Sequence, residues 1–80
     1  MLTAYIRAAM NRAEYEIQED DKSFYGRIPD FQGVYANENT LEACRNELEE
    51  VLEDWILFRI SQHMPLPIVD GIELAVHEVV

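Results

Sequence analysis

Between Ala13 and Ile28 the apolar residues recur at every second position, and from Leu41 to Trp55 they recur with the spacing of a helix. This switch of period, from two to 3.6, restricts the chain to folds that place strands and a long helix around one core. In the first part Ala13, Tyr15 and Ile17 alternate with Glu14, Glu16 and Gln18, as a strand with one apolar and one acidic face would. Glu19-Asp20-Asp21-Lys22 supplies a polar turn, and Phe24, Gly26 and Ile28 then alternate with Tyr25 and Arg27. So short a connection predicts an antiparallel hairpin. Gly26 within the second strand marks either a bulge or the close approach of another backbone.

Pro29-Asp30-Phe31-Gln32-Gly33 reads as a turn carrying an aromatic plug, followed by a short third strand, Val34-Tyr35-Ala36, and a lead-out through Asn37-Glu38-Asn39. The long helix starts at Asn39 or Thr40, with Asn39 and Glu42 at capping-box spacing. Leu41, Cys44, Leu48, Val51, Leu52 and Trp55 form its apolar stripe, and Glu42, Asn46, Glu49 and Glu53 its polar side. Farther along, Trp55, Ile56, Leu57, Phe58 and Ile60 occupy nearly the whole circumference. A helix apolar all round is buried all round. A chain of 80 residues has little material for that, which makes Trp55, Leu57 and Phe58 candidates for an oligomer interface.

Before the hairpin, Leu2, Tyr5, Ile6, Ala9 and Met10 share one face of a short helix, with Thr3 as a candidate cap. After the long helix, Pro65 and Pro67 stiffen the exit, Asp70-Gly71 forms a turn, and Ile72, Leu74 and Val76 alternate with Glu73, Ala75 and His77 as a last strand. The expected fold is α+β: a short N-terminal helix, then β-β-β-α-β, with one long helix packed on a mostly antiparallel sheet. Residues 1–80 form a single domain, with a helical extension at 1–12, a core at 13–67, and a C-terminal strand and tail at 68–80. The sheet's second face needs cover, from the N-terminal helix or from another subunit.

Acidic residues outnumber basic ones 16 to 6, for a net charge of -10. Phosphate backbones and anionic membranes repel such a chain, whereas a basic partner is attracted to it. An acidic surface also serves solubility. A domain this small has a thin stability margin. With Cys44 as its only cysteine it can form no internal disulfide, so association is the expected support. No signal-peptide pattern opens the chain, and the longest apolar run stops at Arg59, so a cytoplasmic protein without a membrane segment is expected.

Groups that carry chemistry are few. His63 and His77 lie in separate segments without ligand-spaced neighbours, and Cys44 falls on the apolar stripe, where a core thiol fits better than a nucleophile. The acidic sets Glu19-Asp20-Asp21, Glu49-Glu50 and Glu53-Asp54 lie on a predicted turn and a predicted solvent face rather than in a shaped pocket. Phe24, Tyr25, Phe31, Tyr35 and Trp55 lack the interleaved basic residues of a base-stacking platform and fit core or interface packing. The chain is therefore expected to be no enzyme, with no catalytic residues, no metal site and no cofactor.

From Tyr15 to Pro67 the chain resembles the HicB antitoxin family. The resemblance is carried by Tyr15-Glu16-Ile17, Phe24-Tyr25-Gly26, Ile28-Pro29-Asp30-Phe31-Gln32-Gly33, Thr40-Leu41-Glu42-Ala43-Cys44, Glu49-Glu50-Val51-Leu52-Glu53-Asp54-Trp55 and Pro65-Leu66-Pro67, in that order. It implies a β-β-β-α-β domain and an antitoxin that neutralises a small basic mRNA-cleaving toxin, HicA, by covering its active site. It also implies a homo-oligomer, a dimer or tetramer. Partner-binding candidates are Tyr25, Arg27, Glu47, Glu50 and Asp54. The alternative is an orphan HicB-like scaffold or small-ligand module without a toxin. Many HicB proteins continue into a DNA-binding module. Only 13 residues follow Pro67 here, and they carry no basic patch, so direct DNA binding is not expected.

Overall fold

The computed structural model describes residues 2–74. Its elements are α1 (Leu2–Asn11), β1 (Glu14–Ile17), β2 (Phe24–Arg27), β3 (Tyr35–Glu38) and α2 (Leu41–Ser61). The strands form one antiparallel meander in the order β1-β2-β3. Tyr15, Gly26 and Ala36 stand opposite one another across it. Directly opposed residues share a face, so this row points toward α2.

The close approach at Gly26 is to side chains of β1 and α2. A Cβ there would lie 2.9 Å from the Tyr15 ring and 3.1 Å from Cys44 Sγ. Glycine thus lets α2 settle onto the middle of the sheet, where the Cys44 thiol reaches the Ala36 carbonyl at 3.6 Å. β3 starts one residue later than the hydrophobic pattern predicts and runs on to Glu38, because Asn37 and Glu38 pair with Tyr25 and Phe24. Both are polar and give no alternation signal.

Thr40 caps α2 from an extended conformation, its Oγ1 accepting the Ala43 N–H at 3.0 Å. The Asn39/Glu42 capping box is not formed, since the helix register puts Ala43 at the third position. At the other end, the His63 N–H donates to Ile60 O and the Met64 N–H to Arg59 O. With His63 at φ 55, this is a Schellman ending with histidine where glycine is usual.

Strands of four residues span about 13 Å, and 21 helical residues about 32 Å, so α2 outruns the sheet. Its second half brings Leu52 and Ile56 into a core shared with Phe31, α1 and Val69. The Trp55 ring lies 5.0 Å from that of Phe31, its indole N–H donates to Gln32 O, and the Arg59 guanidinium lies over the ring, 4.4 Å from its centre. The α2 stripe is buried at Cys44, Leu48, Leu52 and Ile56, while Leu41, at the first helical position, is exposed.

α1 packs into the same core through Tyr5, Ala8, Ala9 and Met10, whereas Leu2 stays exposed and Thr3 lies inside the first turn instead of capping it. The Tyr5 hydroxyl donates to Pro67 O at 2.6 Å, and Arg12 pairs with Asp70 at 3.0 Å. The helix is therefore a pillar of the core, not an appendage, and it lies against α2, not over the sheet's second face. Beyond Pro67, Val69 and Ile72 bridge across Asp70-Gly71, both with positive φ. Ile72 and Leu74 enter no named strand, and the rest of the expected last strand, Val76 and His77 included, lies outside the described residues.

Candidate partner-binding surfaces

The meander and α2 form two layers, and each layer has an outer side. On the sheet, opposite the Gly26 row, stand Glu14, Arg27 and Tyr35, and beside them Glu16, Tyr25 and Asn37. Neither helix covers them. Arg27 is paired with Glu14 at 2.8 Å. Tyr25 and Tyr35 stack diagonally, with centroids 6.2 Å apart and ring planes 25° apart, and Tyr35 is 58% exposed. Next to Tyr25, an open groove of about 600 Å³ is lined by Glu16, Gln18, Asp20, Asp21, Ser23 and Asn37.

Ser23, the buried polar residue of the hairpin turn, organises this groove. Its N–H and hydroxyl donate to Asp21 Oδ1 at 3.0 and 2.6 Å, and its Oγ accepts from Asn37 Nδ2 at 2.9 Å. Asn37 also donates to Phe24 O at 2.8 Å. The Ser23 bonds hold the Asp21 carboxyl below its ordinary pKa. Neither Ser23 nor Asn37 stands out in the sequence. The signal that would find Ser23 is the Asp-x-Ser spacing of an Asx turn, which pins the hairpin. Asn37 is set opposite Tyr25 by the β2–β3 register, which leaves no such mark.

On the other layer, Glu47, Glu50 and Asp54 lie on the exposed side of α2, at i, i+3 and i+7. Leu57 and Phe58 continue that stripe and are 62% and 58% exposed. Within one chain the second half of α2 is thus enclosed on one side only. Trp55, grouped with Leu57 and Phe58 from the sequence, is half-buried against Phe31 and lies off their stripe. The partner-binding candidates accordingly divide. Tyr25 and Arg27 are on the sheet side, and Glu47, Glu50 and Asp54 are on the far side of the helix layer.

Cys44 is fully buried, and burial pushes its thiol pKa up, away from a nucleophilic thiolate. His63 ends α2, 19 residues further on, about 28 Å along the helix. Among the described residues no three His, Cys, Asp or Glu side chains gather as metal ligands, and no helix is long and apolar enough to cross a membrane.

A three-stranded meander backed by one long helix and buttressed by a short one defines a small α+β domain. The chain belongs to the UPF0150-like family, whose pattern matches residues 4–67, from the first turn of α1 to Pro67. It is similar to the crystal structure of TTHA0281 from Thermus thermophilus, with a TM-score of 0.89 and 38% identity over 96% of this chain and 95% of that one. No curated protein matches it.

Proposed function

We propose that this chain is an antitoxin-type inhibitor that binds a small basic HicA-like ribonuclease and covers its active site. The observation that carries this reading is the net charge of -10, with acidic side chains exposed on the outer sides of both layers. A basic RNA-binding surface is complementary to such sides, and the attraction speeds encounter as well as fixing register. The inhibitor acts by occupancy and needs no catalytic group of its own. Its test is to mix the chain with a HicA-like toxin and follow complex formation by light scattering at low and high salt, together with RNA cleavage. A complex weakened by salt that silences cleavage supports the reading. A chain that leaves cleavage unchanged at every salt rejects it.

A second reading, a homo-oligomeric scaffold without a toxin, draws on the exposure of Leu57 and Phe58 on α2. Two copies packed through these stripes would complete the burial that one chain leaves unfinished. Sedimentation of the chain alone tests this, and a monomer at all concentrations rejects it.

A further inference from the structure

The two exposed sides carry different chemistry, and the difference distinguishes their occupants. Along α2 the carboxylates of Glu47, Glu50 and Asp54 form one run that gives way at its end to Leu57 and the exposed ring of Phe58, so acid and apolar surface lie in separate blocks. On the sheet, acid and aromatic surface are interleaved. Arg27 is neutralised by Glu14, which leaves Glu16, Asp20 and Asp21 as the charges around the groove. Lys22 belongs to the same turn but does not line it. Tyr25 lines both this groove and a smaller recess shared with Arg27 and Tyr35, and it stacks on Tyr35 there. Asp21 and Asn37 are held in place by Ser23.

A guanidinium suits such a surface better than an ammonium. It is planar, weakly hydrated, stacks on aromatic faces and binds carboxylates through two parallel N–H bonds. We propose that the outer sheet face, with Tyr25 and Tyr35 as platform and Glu16, Asp20 and Asp21 as acceptors, docks arginine side chains of a basic protein partner, and that the α2 stripe does not. The nature of the partner rests on the inhibitor reading above. The surface rests on the geometry of the sheet.

The test uses the full ¹⁵N-labelled chain and two probes. An arginine-rich peptide is expected to shift the amide resonances of Glu16, Asp21, Tyr25 and Tyr35, and its lysine-for-arginine counterpart to do so more weakly. Shifts confined to Glu47, Glu50 and Asp54, or equal binding of both peptides, overturn the proposal. The second probe is a HicA-like toxin, with affinity measured by calorimetry. Tyr25→Ala with Tyr35→Ala, and separately Glu16→Lys, an exposed side chain that gives up only a 3.4 Å bond from Gln18, are expected to weaken binding at least about tenfold. Glu47→Lys with Glu50→Lys is expected to change it less than about threefold. The reverse ranking overturns the surface while leaving the inhibitor reading intact. If the toxin fails to bind while the arginine peptide still maps to the sheet, the inhibitor reading falls and the surface stands.

Discussion

Gly26 on β2 and Cys44 on α2 meet so closely that a Cβ on the glycine would stand 3.1 Å from the thiol sulfur. The same Cβ would press on the Tyr15 ring at 2.9 Å, so neither neighbour offers room on the other's side. Gly26→Ala is therefore expected to destabilise the domain by about 1–3 kcal/mol, the range of overpacked cores. Urea unfolding measures it. A pairing with Cys44→Ala should recover part of the loss, and an unchanged midpoint for the single variant would show that α2 sits farther from the sheet.

Two tyrosines near the core should respond in opposite directions to loss of the hydroxyl. Tyr5 donates to Pro67 O at 2.6 Å, so Tyr5→Phe should cost about 1 kcal/mol and leave a carbonyl wanting. The Tyr15 hydroxyl is buried and meets no hydrogen-bond partner among the described residues. Burial raises its pKa, with Arg45 pulling the other way. Tyr15→Phe should be neutral or stabilising by roughly 1 kcal/mol. Thermal melts of the pair decide it, and equal losses would contradict the assignment.

Trp55 ties α2 to the β2–β3 connection through Phe31, Gln32 O and the Arg59 stack. Because the ring is only half-buried, Trp55→Ala should fall at the lower end of the roughly 3–5 kcal/mol typical of such truncations. Trp55→Phe keeps an aromatic ring and loses the indole donor, for about 1 kcal/mol. A near-normal melting temperature for Trp55→Ala would remove this contact from the account of stability.

Asp21 links pH to the hairpin. Its folded pKa lies below the ordinary 3.8 because Ser23 donates twice to the carboxylate. The stabilisation is thus fully present above the unfolded value and is lost as pH falls through the lower folded value. Asp21→Asn should flatten that part of the acid limb when melting temperature is followed from neutral pH downward. An identical acid limb in both proteins would show that the bond to Ser23 forms equally well with the protonated side chain.

Leu57 and Phe58 test self-association separately from folding. Both are exposed on α2 and contribute little to the core. Leu57→Glu with Phe58→Glu should leave the circular dichroism of the chain unchanged and shift any oligomer toward monomer in sedimentation. Loss of folding in a dilute monomer would mean that this end of α2 is held within the chain.

The alternation from Ala13 to Ile28 and the helical spacing from Leu41 onward were enough to specify the class of fold, the hairpin and the long helix, because hydrophobic period reports which face each element buries. The helical spacing of α1 was equally legible. That Tyr5 would reach Pro67, across 62 residues of chain, was not, since periodicity says that a face is buried but not against what. The extension of β3 through Asn37 and Glu38 was hidden because ladder pairing there is made by backbone groups under polar side chains. The same limit applied to the binding candidates. Tyr25, Arg27, Glu47, Glu50 and Asp54 are alike in the sequence as polar or aromatic positions off the apolar stripes of strand and helix. Only the stacking of α2 on the Gly26 face put the first pair and the last three on opposite layers, and only strand register brought Tyr35 and Asn37 beside Tyr25. Composition and period are local properties that a chain carries before it folds, whereas which surfaces coincide depends on distances between segments, and those exist only once the layers have packed.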